Sequence, residues 1–211
     1  MMVDDLEKAQ KKCDKGKEEF YETAGDVIVM LSLTGLRKSE LRGVRWTDWD
    51  EQNQTLSIER AVWRTKVGPT KTASSENTIP VLPLLRDLLI KRRERIKPNP
   101  SAYIFAGKRK GAPLNLHNLE SRIIRVALKE STVKWSGFHG FRRGLASNLF
   151  GLGINPKVIA AILRHSDVSM TLQFYIKEAE GESRMALEKL EAKVKSMNEN
   201  TGIVFGAQSN Q

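Results

Sequence analysis

Cysteine is nearly absent from this sequence: Cys13 is the only one in 211 residues. That excludes a disulfide framework and a cysteine metal cluster within the chain. Histidine is scarce too, with three residues scattered far apart, which argues against a structural zinc. No apolar run approaches the length of a membrane-spanning helix. The start does not read as a signal peptide, since Met1-Met2-Val3 is followed at once by Asp4, Asp5 and Glu7. There is no internal repeat and no long low-complexity linker. What remains is 40% hydrophobic residues, enough for a core, and 28% charged residues, the balance expected of a soluble cytoplasmic domain.

The charge is lopsided. Lys and Arg number 35 against 25 Asp and Glu, a formal charge of +10, with a pI near 9.8. Such an excess favours a polyanionic partner, nucleic acid ahead of an anionic membrane surface.

Residues 1–17 are charged and predict a solvated lead-in or a frayed helix. Apolar residues at helical spacing predict a helix over residues 18–33, stopped by Thr34-Gly35, and Ser39 is the predicted cap of a short second helix. Residues 46–50, 55–64 and 77–82 are β-branched and aromatic, bounded by Asn53, Gly68-Pro69 and Pro83. They predict a small antiparallel sheet of about three strands. Helices are expected over residues 84–96, 116–129, 141–152 and 156–163, the last opened by Asn155-Pro156. Residues 178–197 read as a charged amphipathic helix. The order helix, small sheet, helices predicts a mainly helical α+β domain.

Single residues are unremarkable. Arg37 and Glu40 lie at a turn between helices; His139 and Arg142 stand at i and i+3, so they share a face. His165 follows a helical run, and Tyr175 suits core packing with its hydroxyl at the surface. As a set they say more. Two arginines, two histidines, a tyrosine and a hairpin lysine are the parts of metal-free phosphoryl transfer. Arginine forks and imidazoles neutralise the extra negative charge of a pentacoordinate phosphate transition state. A phenol is a usable nucleophile once its proton is taken, and a lysine of lowered pKa serves as the acid for a leaving hydroxyl.

In these residues the chain resembles the tyrosine recombinases, or phage integrases. Thr34-Gly35-Leu36-Arg37-Lys38-Ser39-Glu40-Leu41 is similar to the family's first arginine box. It implies a phosphate clamp at Arg37 and an orienting carboxylate at Glu40. His139-Gly140-Phe141-Arg142 resembles the His-x-x-Arg box, implying a second clamp at Arg142 and a proton-accepting or hydrogen-bonding role for His139. Leu163-Arg164-His165-Ser166, followed by Thr171 and Tyr175, resembles the last box, with His165 as phosphate ligand and Tyr175 as nucleophile. Pro69-Thr70-Lys71-Thr72 resembles the hairpin that carries the family's general acid, which implies Lys71, with Lys66 as rival. Two positions depart from the pattern. Arg164 replaces a common glycine, which alters the helix end or adds a phosphate contact, and Asn77 stands where a basic residue often precedes Ile79-Pro80.

The resemblance implies a DNA breaking-rejoining fold over residues 18–177, a C-terminal helix and tail over residues 178–211, and a 3′-phosphotyrosyl intermediate formed without metal, ATP or other cofactor. The implied partners are double-stranded DNA and further protomers, four on two duplexes, in a cytoplasmic, nucleoid-associated setting. Residues 178–197 and the apolar Ile203-Val204-Phe205 would dock on a neighbouring protomer or remain solvated. Family members carry an N-terminal core-binding domain for which residues 1–17 leave no room, so a fragment of a longer protein is expected. Two rivals stand beside this reading: a type IB topoisomerase-like enzyme, separable by relaxation of a plasmid lacking any recombination site, and a DNA-binding relic with a dead active site.

Overall fold

A computed structural model describes residues 2–11, 17–69, 78–164, 188 and 191–193. The chain divides into two units, Met1–Ser166 and Asp167–Gln211. The described residues of the second, 188 and 191–193, are helical. The rest of the predicted 178–197 helix lies outside the described residues, as do Ile203-Val204-Phe205.

The first unit opens with a helix, α1 (Met2–Lys11), that contacts the next one, α2 (Glu18–Thr34). The charged segment is expected to be a solvated lead-in or a frayed helix; it is a helix, but a docked one, since α1 buries Leu6 in the core and the Ser131 hydroxyl donates to Asp5 at 2.8 Å. Leu6, with partly buried Met2, Val3 and Ala9 packed on the core, anchors an otherwise charged segment. On α2 the predicted stripe residues Ala24, Val27, Ile28, Met30 and Leu31 are buried, whereas at its start Tyr21 is buried and the expected Phe20 only partly so.

Gly35 ends α2 in the left-handed region, φ 60°, where its N–H donates to Leu31 O. The short helix α3 (Lys38–Gly43) follows. Its cap position is Arg37, not the expected Ser39, because the Glu40 carboxylate reaches back to accept the Arg37 N–H at 3.0 Å. A Cβ on Gly43 would lie 2.4 Å from Arg60 O, so α3 sits hard against the strand that carries Arg60.

The strands are β1 (Trp49–Asp50), β2 (Thr55–Ser57), β3 (Arg60–Trp63), β4 (Lys66–Pro69) and β5 (Thr78–Pro80). A three-stranded antiparallel sheet forms as expected, in the order β1-β2-β5, with Leu56 opposite Ile79 and both buried. The single strand expected over residues 55–64 is two. Its second half, β3, leaves the sheet to pair with β4 as a separate hairpin packed on α3, pinned where Arg60 Nη1 meets Asp48 Oδ2 at 2.6 Å.

Helix α4 (Pro83–Ile96) starts on its proline and is tied to α2 by buried Arg92, which donates to Asp26 Oδ2 at 2.7 Å and to Ile104 O at 2.9 Å. The helix expected over residues 116–129 is interrupted: α5 (Leu116–Leu119) runs through a π turn at Glu120–Ile124 into α6 (Arg125–Ala127). Its apolar face, Leu116, Leu119, Ile123 and Ile124, still enters the core. Helices α7 (His139–Gly151) and α8 (Pro156–Leu163) follow in the first unit. Asn155 caps α8 by accepting the Lys157 N–H at 2.9 Å.

Candidate active site

The turn between α2 and α3 meets the start of α7 and the end of α8, and glycine makes this possible. A Cβ at Gly35 would lie 2.8 Å from Leu163 Cδ2 and 3.0 Å from Leu145 Cδ2. Thr34 braces the turn, its hydroxyl donating to Met30 O at 2.6 Å and accepting the Leu36 N–H at 3.3 Å.

Glu40 is the hub. It is 5% exposed, its Oε1 accepts from Arg37 Nη1 at 2.6 Å, and its Oε2 from Arg164 Nη2 at 3.4 Å. Burial opposes its ionisation, yet the hydrogen bonds from Arg37 and the charges of Arg164 and Arg37 win, holding the carboxyl below the usual glutamate range.

Arg142 lies one helical turn into α7 and is 2% exposed. It donates to Gly35 O at 2.7 Å and also to Leu163 O, which stitches α7 to the turn and to the end of α8. Burial, then the neighbouring charges of Arg37 and Arg164, lower its guanidinium pKa to about 10 despite Glu40. Arg37 Nη2 meets Arg164 O at 3.5 Å. Three guanidiniums thus crowd one carboxylate, an excess of positive charge suited to a bound anion.

His139 begins α7, two residues before the expected start, at the surface of this cluster. Partial desolvation, then the charges of Arg142, Arg143 and Arg37, push its imidazole pKa down, so the ring is neutral at neutral pH. A neutral ring keeps a lone pair for a proton or a hydrogen bond.

Of the residues singled out from sequence, Arg37, Glu40, His139 and Arg142 come together here. Lys71, His165 and Tyr175 lie outside the described residues. The rival lysine, Lys66, stands exposed on β4 opposite Trp63, an exposed tryptophan over whose ring Lys38 Nζ lies at 5.6 Å. Arg164, singled out for its departure from glycine, supplies the third guanidinium. One residue passed over in sequence, Arg42, also matters to the geometry. Arg42 braces the hairpin, donating to Val62 O at 3.0 Å, Arg64 O at 2.8 Å and Leu114 O at 3.0 Å. No local pattern marks Arg42, because its acceptors are set by tertiary packing. Among the described residues, no three His, Cys, Asp or Glu side chains converge as a metal-ligand set.

Comparison with known families settles the lineage: the model of the phage integrase family matches residues 1–182. The chain belongs to the phage integrase family. A tyrosine recombinase XerC-like protein of Caldanaerobacter subterraneus subsp. tengcongensis is 26% identical over 182 residues, covering 74% of this chain and 46% of that protein. The transposase from transposon Tn916 of Enterococcus faecalis is 27% identical over 180 residues, covering 78% of this chain and 44% of the transposase. This family member therefore spans about half the length of the curated relatives it matches. Among solved structures, the Tn1549 transposon integrase in complex with circular intermediate DNA superposes with a TM-score of 0.67 at 26% identity, over 84% of this chain and 61% of that one. XerA recombinase superposes with a TM-score of 0.58 at 18% identity, over 81% and 55%, a likeness of fold alone. Among the described residues no helix is long and apolar enough to cross a membrane.

Proposed function

We propose that this chain is the catalytic domain of a site-specific DNA recombinase, working through a 3′-phosphotyrosyl intermediate at Tyr175. The observation that carries the reading is the cluster of Arg37, Arg142 and Arg164 around Glu40, beside His139, whose pKa burial and neighbouring guanidinium charges hold below the ordinary value.

In this reading Arg37, Arg142 and His165 hold the non-bridging oxygens of a scissile phosphate, taking the electrostatic part that a metal ion plays elsewhere. The Tyr175 phenol oxygen attacks phosphorus, and its proton passes to a base, the role that the resemblance implies for His139. The bond from phosphorus to the 5′ oxygen breaks, and Lys71, or Lys66, gives that oxygen a proton. A 5′-hydroxyl from a partner duplex then attacks the phosphotyrosine, restoring a phosphodiester and freeing the tyrosine. Bond energy is kept in the covalent link, so neither ATP nor a cofactor is required. The relatives' greater lengths support a longer protein, and the family resemblance implies for it a core-binding domain and a tetramer on two duplexes in the nucleoid.

The test searches the DNA flanking the gene for inverted repeats around a short spacer, builds them into a nicked suicide duplex, and reads the product on a denaturing gel. The wild-type chain should form a covalent adduct in excess EDTA, and Tyr175→Phe should bind the duplex equally well and form none. An adduct retained by Tyr175→Phe would move the nucleophile to Tyr21 or Tyr103. A strict need for a divalent ion in cleavage would sink the clamp reading.

A further inference from the structure

Arg164 holds an unusual backbone. It is one of four non-glycine residues with positive φ among those described, at φ 55°, ψ 46°, where it ends α8 by donating its N–H to Ala160 O and Ala161 O. Glycine meets that cap at lower cost, because an L-residue's Cβ crowds the backbone there. What arginine adds is therefore its side chain, and the side chain turns inward: it is 11% exposed, and its Nε is buried without a partner among the described residues.

Its contacts close a ring. Arg164 Nη2 approaches Glu40 Oε2 at 3.4 Å, Glu40 Oε1 accepts from Arg37 Nη1 at 2.6 Å, and Arg37 Nη2 returns to Arg164 O at 3.5 Å. A further donor, Nη1, meets Ile162 O at 3.0 Å. The ring joins the start of α3 to the end of α8 across 124 residues of sequence. We propose that Arg164 is a positioning residue of the phosphate site, fixing the Glu40 carboxylate and, through it, the Arg37 guanidinium.

Two effects follow from removing its side chain. The carboxylate loses its long-range hydrogen-bond partner among the described residues and is freer to rotate, so Arg37, which is 39% exposed, loses a fixed counter-ion. The loosened carboxylate then divides its charge between Arg37 and Arg142, and the Arg37 guanidinium is less firmly aimed at a phosphate. Arg164 also immediately precedes His165, so the same ring holds the backbone that leads to the proposed phosphate ligand.

This inference rests on the recombinase reading, and its test separates the two. Arg164→Gly and Arg164→Asn both tolerate the left-handed backbone and lose the charge; Arg164→Lys keeps the charge. Single-turnover cleavage of the suicide duplex by the full 211-residue chain should fall about tenfold or more in the Gly and Asn variants, as small misplacements of a clamp do. Their melting temperatures should match or exceed wild type, and Arg164→Lys should recover part of the rate. Phenylglyoxal labelling of Arg37, read by peptide mass spectrometry, should quicken in the Gly and Asn variants. That readout needs no catalysis. Unchanged Arg37 labelling, or wild-type cleavage rates in both variants, would overturn the inference; an inactive wild-type chain with altered labelling would instead overturn the recombinase reading alone.

Discussion

Glu40 grips Arg37 twice, accepting the backbone N–H through Oε2 at 3.0 Å and the guanidinium through Oε1 at 2.6 Å. One carboxylate thus caps α3 and aims the side chain at its cap position. Glu40→Gln keeps the shape and removes the charge, leaving three guanidiniums without a counter-ion. Breaking a buried pair costs about 3–5 kcal/mol, but Arg37 is partly solvated, so about 1–3 kcal/mol is expected in urea unfolding at neutral pH. The pH dependence has a definite sign. Glu40 is held below its ordinary pKa of 4.5, so its contribution is present above that value and is lost as acid carries the pH through the lower folded one. The acid loss of stability should be shallower in Glu40→Gln.

Gly35 and Gly137 separate two costs of adding a methyl group. Both have positive φ, 60° and 78°. A Cβ at Gly35 would press on Leu163 and Leu145, whereas nothing lies within 4 Å of one at Gly137. Gly137→Ala should cost only the backbone strain, about 1 kcal/mol. Gly35→Ala adds overpacking of about 1–3 kcal/mol. It should also slow cleavage, because the displaced leucine belongs to the carbonyl that Arg142 grips. Equal melting temperatures for the two variants would contradict this account.

Much of this was written in local sequence. Apolar spacing marked α2, and Asn155-Pro156 marked the start of α8. The Gly35 turn and the pairs Arg37/Glu40 and His139/Arg142 were visible because each is a short-range pattern. What stayed hidden depends on distant partners. Leu6 alone does not announce that α1 docks, and β3 peels away from β2 because α3 and Asp48 hold Arg60. Arg164 stands out in sequence as a departure from glycine, but its contact with Glu40, 124 residues away, is set by tertiary packing.

His139 offers a test of the site's field. Desolvation and the charges of Arg142, Arg143 and Arg37 depress its pKa below the ordinary 6.5. Arg143 is exposed, so Arg143→Gln removes one of those charges with little effect on packing. The His139 titration midpoint, followed by the imidazole proton resonance, should rise. By linkage, the unfolded state takes up its proton first as pH falls below 6.5, so this residue's contribution is present above that pH and lost through the lower folded value. An unmoved midpoint would show that solvent already screens Arg143.

The two hairpin lysines can be told apart by the leaving group. Lys66 pairs with Trp63 beside the turn of the β3–β4 hairpin, which Arg42 braces through Val62 O and Arg64 O. Lys71 is the proposed acid for the departing 5′ oxygen, and losing a general acid typically costs roughly 10²–10⁴ in rate. With sulfur in place of that bridging oxygen, the leaving group is a thiolate, a far weaker base that departs without a proton. Lys71→Ala should therefore cleave normal DNA slowly and the sulfur-bridged duplex at nearly the wild-type rate. Lys66→Ala should show no such selective rescue, since a lysine that only holds a backbone phosphate affects both substrates alike. Selective rescue of Lys66→Ala instead would place the acid on β4, in the braced hairpin. Rescue of neither would mean that the proton comes from outside this segment.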